Sequence, residues 1–336
     1  MLKNIFKSPK LQEKELYDLA LLESAVSMGK TGNMTDIQAV LATEGYEPSP
    51  CVLTSALARA ISESGVNGTK GAPIEGLEIL VKAGAPSEAQ TKWGFKDTIN
   101  PESSLFSKGW QDPLVQAVWV ANSKYTKGDN TYLDFILEKG VSQKSAATVA
   151  LHFGELSSDV TLKLAAHANE SQKQAIYDKA LMEAAHDTAK MGDIAFLVAV
   201  LAKPDYTPSV VMLTNALTHT IRESVMNGFA GAPIAALDLL LAKGAQPETT
   251  LGEAQARKLN IGKAFTKSSN PLTAAALVSF RGPETPDYLN YLLSKGITPA
   301  AALGVATDFK DLPAVTKLRL IAYAEDKTTA AVKLAM

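Results

Sequence analysis

LTSALARAISESGVNGTKGAPIEGLEILVKAGAPS, residues 53–87, is answered by LTNALTHTIRESVMNGFAGAPIAALDLLLAKGAQP at residues 213–247. Each copy reads as a helix, a Gly-rich turn, a second helix and a Gly-Ala exit. Ile74, Leu77, Leu80 and Val81 fall on one helical face, and Ile234, Leu237, Leu240 and Leu241 repeat the spacing. Lys82 and Gly84, like Lys243 and Gly244, mark a helix C-terminus, where a cation and a left-handed glycine both suit the chain end. The loop between the helices is glycine-rich, but it carries no phosphate-cradling pattern and follows no strand. Asn67-Gly68 and Asn227-Gly228 supply left-handed backbone there, and Pro73 and Pro233 start the second helix.

The likeness extends outward. An offset of 160 aligns Tyr17–Pro86 with Tyr177–Gln246 without a gap, and about 30 of the 70 aligned positions are identical. Beyond it the register slips slightly. Asp112-Pro113-Leu114 matches Asn270-Pro271-Leu272, Tyr132-Leu133 matches Tyr288-Leu289, and Ala146-Ala147 and Phe153 match Ala302-Leu303 and Phe309. The chain therefore reads as a flexible basic tail (1–14, with Lys3 and Lys7), a first half of four repeats (15–172) and a homologous second half (173–336), continuous with the first. The repeats fall near 15–50, 51–88, 110–143 and 144–172, and near 175–210, 211–248, 268–298 and 299–328. No stretch alternates with period two, so the expectation is an all-α chain. A single helix pair would leave its apolar face bare, so neighbouring pairs must stack into an α-solenoid of about eight helix-turn-helix units.

Asp112-Pro113-Leu114-Val115-Gln116-Ala117-Val118 and Asn270-Pro271-Leu272-Thr273-Ala274-Ala275-Ala276, together with the aliphatic runs before Gly84-Ala85 and Gly244-Ala245, resemble degenerate ankyrin repeats. The Thr and His of that family's first-helix motif are missing, and the first and fourth units of each half match it poorly. The resemblance implies an ankyrin-like array that binds proteins through its first helices and turn tips. For this chain those positions are Arg59, Glu63, Asn67, His219, Glu223 and Asn227.

Composition narrows the function. The 336 residues are 46% apolar and 20% charged, with a net charge of −2, which argues against broad binding to nucleic acid or an anionic membrane. No apolar run approaches the ~20 residues that span a bilayer, and the first residues lack the apolar core of a secretory signal. One cysteine, Cys51, fits a reducing, cytoplasmic setting. Its counterpart, Val211, predicts a buried or half-buried side chain there.

No nucleophile, metal or cofactor motif stands out. His152, His167, His186 and His219 have no histidine at the matching positions of the other half. Glu183-x-x-His186-Asp187 lacks the partner motif of a metal site, and His186 is expected on a helix surface. Arg59 with Glu63, and His219 with Glu223, stand four residues apart and share a helix face. Each pair reads either as a surface ion pair or as part of a polar patch on the inner side of the array. The three tryptophans fall between 87 and 125. Trp119 lies on the core side of a helix with Leu114 and Val118. Trp93, Phe95 and Trp110 sit in the long connection 87–111 and are the aromatic partner-site candidates. That connection and its counterpart, 247–269, are each expected to carry a short extra helix.

The leading expectation is a non-enzymatic scaffold with no cofactor that recognises another protein, not nucleic acid or membrane. Two alternatives stand beside it. One is an enzyme with its site in a cleft between the halves. The other is a structural subunit of a larger viral or host-acting assembly, favoured by apolar patches left bare on the outermost units. Nothing in the sequence sets an oligomeric state.

Overall fold

The computed structural model describes residues 9–66, 68–88, 112–123, 129–154, 156–225, 229–248, 270–279, 287–309 and 312–335. Among these there are sixteen helices and no strand. The first eight are α1 (Pro9–Thr31), α2 (Thr35–Leu41), α3 (Pro50–Ser64), α4 (Ile74–Lys82), α5 (Pro113–Ala121), α6 (Thr131–Glu138), α7 (Gln143–His152) and α8 (Ser158–His167). The next eight are α9 (Glu170–Met191), α10 (Ala195–Leu201), α11 (Val210–Glu223), α12 (Ile234–Ala242), α13 (Pro271–Val278), α14 (Tyr288–Ser294), α15 (Pro299–Asp308) and α16 (Ala314–Ala335). The chain is thus all-helical over the described residues. Helix already runs from Pro9, so residues 9–14 do not belong to a tail as expected.

The chain divides into two compact units. One is Met1–Leu156 with Val160–Ile176, the other Ser157–Asp159 with Tyr177–Met336. The boundary expected at 172/173 falls inside α9. In the first unit α1 lies against α3 and α3 against α5, while α2, α4 and α6 each pack on the helix before them. In the second unit α11 lies against α13 and α13 against α15, with α12, α14 and α16 on their respective partners.

Local sequence explains where the helices start. Ser49 accepts the N–H of Val52, and Ser209 that of Met212. Asp112 caps α5 through the N–H groups of Leu114 and Val115, and Asn270 caps α13 through Thr273. Ser142 and Thr298 cap α7 and α15 in the same way. Pro73 and Pro233 stand at the cap positions of α4 and α12, one residue earlier than the sequence suggests. The exits behave as predicted: Gly84 and Gly244 take φ of 105° and 109°. The next N–H, that of Ala85 or Ala245, donates to Leu80 or Leu240 at 3.0 Å, closing the helix end.

Burial follows the helical period. Leu53, Leu57 and Ile61 of α3 and Leu77 and Leu80 of α4 are buried, as are Leu213, Leu217, Ile221, Leu237 and Leu240 at the matching positions. Gly65 lets the half-buried Trp119 approach: a Cβ added there would lie 2.7 Å from the ring. Matching positions also make matching contacts. Tyr17 with Tyr46, and Tyr177 with Tyr206, stack at the same centroid separation of 5.3 Å. Lys139 pairs with Glu78, and Lys295 with Asp238.

The return from the first helix to the second is held by a buried serine. Ser64 donates to the Ala60 carbonyl at 2.7 Å and accepts the Ala72 N–H at 2.8 Å. Tyr132 of α6 then donates to the Ala72 carbonyl at 2.9 Å. Ser224 repeats this with Thr220 (2.6 Å) and Ala232 (2.9 Å), and Tyr288 closes it at 2.7 Å. Gly71 precedes Ala72 with φ of 80°, and the Tyr132 hydroxyl would meet any Cβ placed there. Ser64→Ala or Ser224→Ala strands a buried N–H and is expected to cost about 1–3 kcal/mol, read as a lower midpoint in urea unfolding. Tyr132→Phe or Tyr288→Phe is expected to cost about 1 kcal/mol. Serine variants that unfold at the wild-type midpoint would show that the turn holds without this bond.

Candidate functional site

The polar group that stands out among the described residues is built on α9 and α11. Capped by Ser209, α11 runs to Glu223, so His219 and Glu223 sit one turn apart on one face. His186 reaches the same carboxylate from α9. Its Nδ1 lies 3.7 Å from Glu223 Oε2, and His219 Nδ1 lies 3.8 Å from Oε1. These are ion-pair separations, longer than a hydrogen bond. The imidazole centroids are 6.1 Å apart, and the Phe229 ring stands edge-on to His186 at 5.2 Å.

Burial separates the two histidines. The His186 side chain is 40% exposed and that of His219 only 18%. The Glu223 carboxylate beside His186 raises its pKa above the ordinary imidazole value. Burial, reinforced by the charges of His186 and Arg222, pushes His219 down to about 4, against the pull of Glu223. Glu223 itself is lowered, chiefly by His186. One carboxylate therefore favours a proton on the outer ring while the inner ring stays neutral. Such a group can hold a proton, take a hydrogen bond or meet a cationic partner residue. No set of three His, Cys, Asp or Glu among the described residues is placed to hold a metal ion.

The matching place in the first unit is built differently. Val26 and Met28 of α1 stand where α9 has His186 and Thr188, while Ser55, Ala58 and Arg59 of α3 stand where α11 has Asn215, Thr218 and His219. Glu63, the counterpart of Glu223, meets Lys30 at 3.8 Å. The ion pair expected between Arg59 and Glu63 is therefore made by Lys30 instead, and Arg59 is exposed.

Of the sequence candidates, the structure brings His219 and Glu223 together and adds His186, which stands partly exposed on α9 as expected. His219 is half-buried, with 18% of its side chain exposed. His186 lies on a different helix from the other two, so its part shows only once α9 is set against α11. Asn67, Asn227, Trp93, Phe95 and Trp110 lie outside the described residues, as do the extra helices expected within 87–111 and 247–269. Cys51 is exposed, not buried as expected: it points outward from the first turn of α3. No helix among the described residues is long and apolar enough to cross a membrane.

Set against family models, curated proteins and solved structures, the chain matches none.

The two histidines predict opposite pH effects. His219, depressed in the folded state, favours folding above the ordinary imidazole value near 6.5. That stability is lost as pH falls from there toward 4, by up to about 3 kcal/mol. His186, raised in the folded state, contributes stability below 6.5 that is lost as pH rises through its folded pKa. In urea unfolding across this range, His219→Gln is expected to flatten the acid limb. An acid limb unchanged by the substitution would remove His219 as its source.

Proposed function

We propose that the chain is a cytoplasmic, non-enzymatic scaffold: an array of ankyrin-like helix pairs that binds another protein through α3, α11 and the turns that follow them. The observation that carries this reading is the side-by-side packing of α1, α3 and α5, each with its own partner helix, and of α11, α13 and α15 in the second unit. Repeated pairs in that arrangement present a row of equivalent helices and turn tips, a surface suited to an extended partner. Arg59 and Lys70 are exposed on that row, as is Ala230, the position that matches Lys70.

A second reading, a subunit of a larger assembly, is favoured by exposed apolar side chains on the first and last helices. Leu16 and Leu19 lie on α1, and Val315 and Leu318 on α16.

A photo-reactive residue placed at Arg59, Lys70 or Ala230 is expected to capture a common set of proteins in the cells that make this chain. Arg59→Glu combined with Glu63→Lys is expected to reduce that capture at least tenfold. The same set captured from Glu75, exposed on the second helix of the pair, α4, would refute the assignment of the binding row.

A further inference from the structure

The second unit carries a helix face that the first does not repeat. Every residue of α10 is apolar. Leu197, Val200 and Leu201 are buried, while Ala195, Val198, Ala199 and the C-cap Ala202 are exposed. At spacings of three, four and seven residues these four share one side of the helix. Val198 is 46% exposed. The matching helix α2 turns polar residues to water. Exposed Thr35 and Gln38 stand where α10 has Ala195 and Val198, and exposed Asp36 stands where it has the half-buried Phe196. The copied helix has kept an apolar inner face and lost the polarity of its outer one.

The two ends of that face differ from the first unit as well. Asp193, exposed just ahead of α10, replaces Asn33, and Lys203, just past its end, replaces Thr43. Capping does not account for the acid. Asp193 accepts the Ala195 N–H at 2.8 Å, but the neutral Asn33 accepts the Thr35 N–H equally well at 3.0 Å. Nor is Lys203 there for the acid two residues on, since Asp205 accepts the Tyr177 hydroxyl at 3.0 Å. An apolar face with an acid at one end and a base at the other is complementary to itself. Two such helices laid antiparallel set apolar side against apolar side, acid against base at both ends, and opposed dipoles along the axis.

We infer that the outer face of α10 is a two-fold contact through which two copies of this chain pair. Val198 and the three alanines of one copy lie on the same residues of the second, and the small side chains let the helices approach closely. Asp193 of each copy faces Lys203 of the other. Because the same patch is used on both sides, the contact closes at the dimer. Seven residues of helix are too short to bury the roughly 800 Å² per partner of a standard interface, so the dimer is reversible. The inference stands on α10 and its flanks and does not rest on the row along α3 and α11.

Sedimentation of the full chain over a wide concentration range tests it, with helicity and melting temperature read on the same samples. The wild type is expected to pass from monomer to dimer and no further. Ala195→Thr combined with Val198→Gln restores the residues of α2, which folds with them, and is expected to weaken pairing at least tenfold at an unchanged melting temperature. Asp193→Lys and Lys203→Glu are each expected to weaken it alone. An equimolar mixture of those two is expected to recover pairing, because the introduced lysine faces the introduced glutamate while the remaining lysine faces the remaining aspartate. A wild type that stays monomeric at every concentration, growth past the dimer, or pairing untouched by the Thr/Gln variant would each overturn the inference. A mixture that pairs no better than its separate components would overturn the antiparallel contact.

Discussion

A serine hydroxyl at the end of a first helix sets the geometry of each described block. Ser64 and Ser224 bond back to their own helices and forward to the N–H groups of Ala72 and Ala232. That single group fixes where the chain turns and therefore which face of the second helix looks inward. The tyrosine of a later helix, Tyr132 or Tyr288, takes the carbonyl of the same alanine. Both backbone polar groups of one buried alanine are thus satisfied, the N–H by the serine and the carbonyl by the later tyrosine. Stacking and turning are coupled through one residue, so a neighbour cannot shift without breaking a bond that shapes the turn. The preceding glycine completes the set, because it supplies the positive φ and the space the tyrosine needs.

The same frame carries two chemistries. Between α1 and α3 the contact is largely apolar, with Met28 and Ala60 buried and one lysine reaching Glu63 at the rim. Between α9 and α11, Thr188, Thr220 and Asn215 are buried, and the glutamate is shared by two histidines. Glu63 meets Lys30 at 3.8 Å. Glu223 is shared by two imidazoles, and whichever takes the proton discourages the other; burial decides in favour of His186. The second unit thus has a pH-dependent seam between α9 and α11.

The sequence made the helices, their order and their exits legible because these depend on neighbours a few residues away. The 3.6 period of Leu77 and Leu80 and Gly84 after Lys82 both act locally. Ser64 was visible only as a retained letter beside Gly65; its role depends on Tyr132, 68 residues further on. The link between His186 and Glu223 was hidden for the same reason, since the two lie 37 residues apart and on different helices. Cys51 was misplaced because its counterpart is valine, and an apolar type does not say which way a first-turn side chain faces. The end of the tail was misjudged because charged residues such as Glu13, Lys14 and Glu15 suit an exposed helix as well as a loose segment.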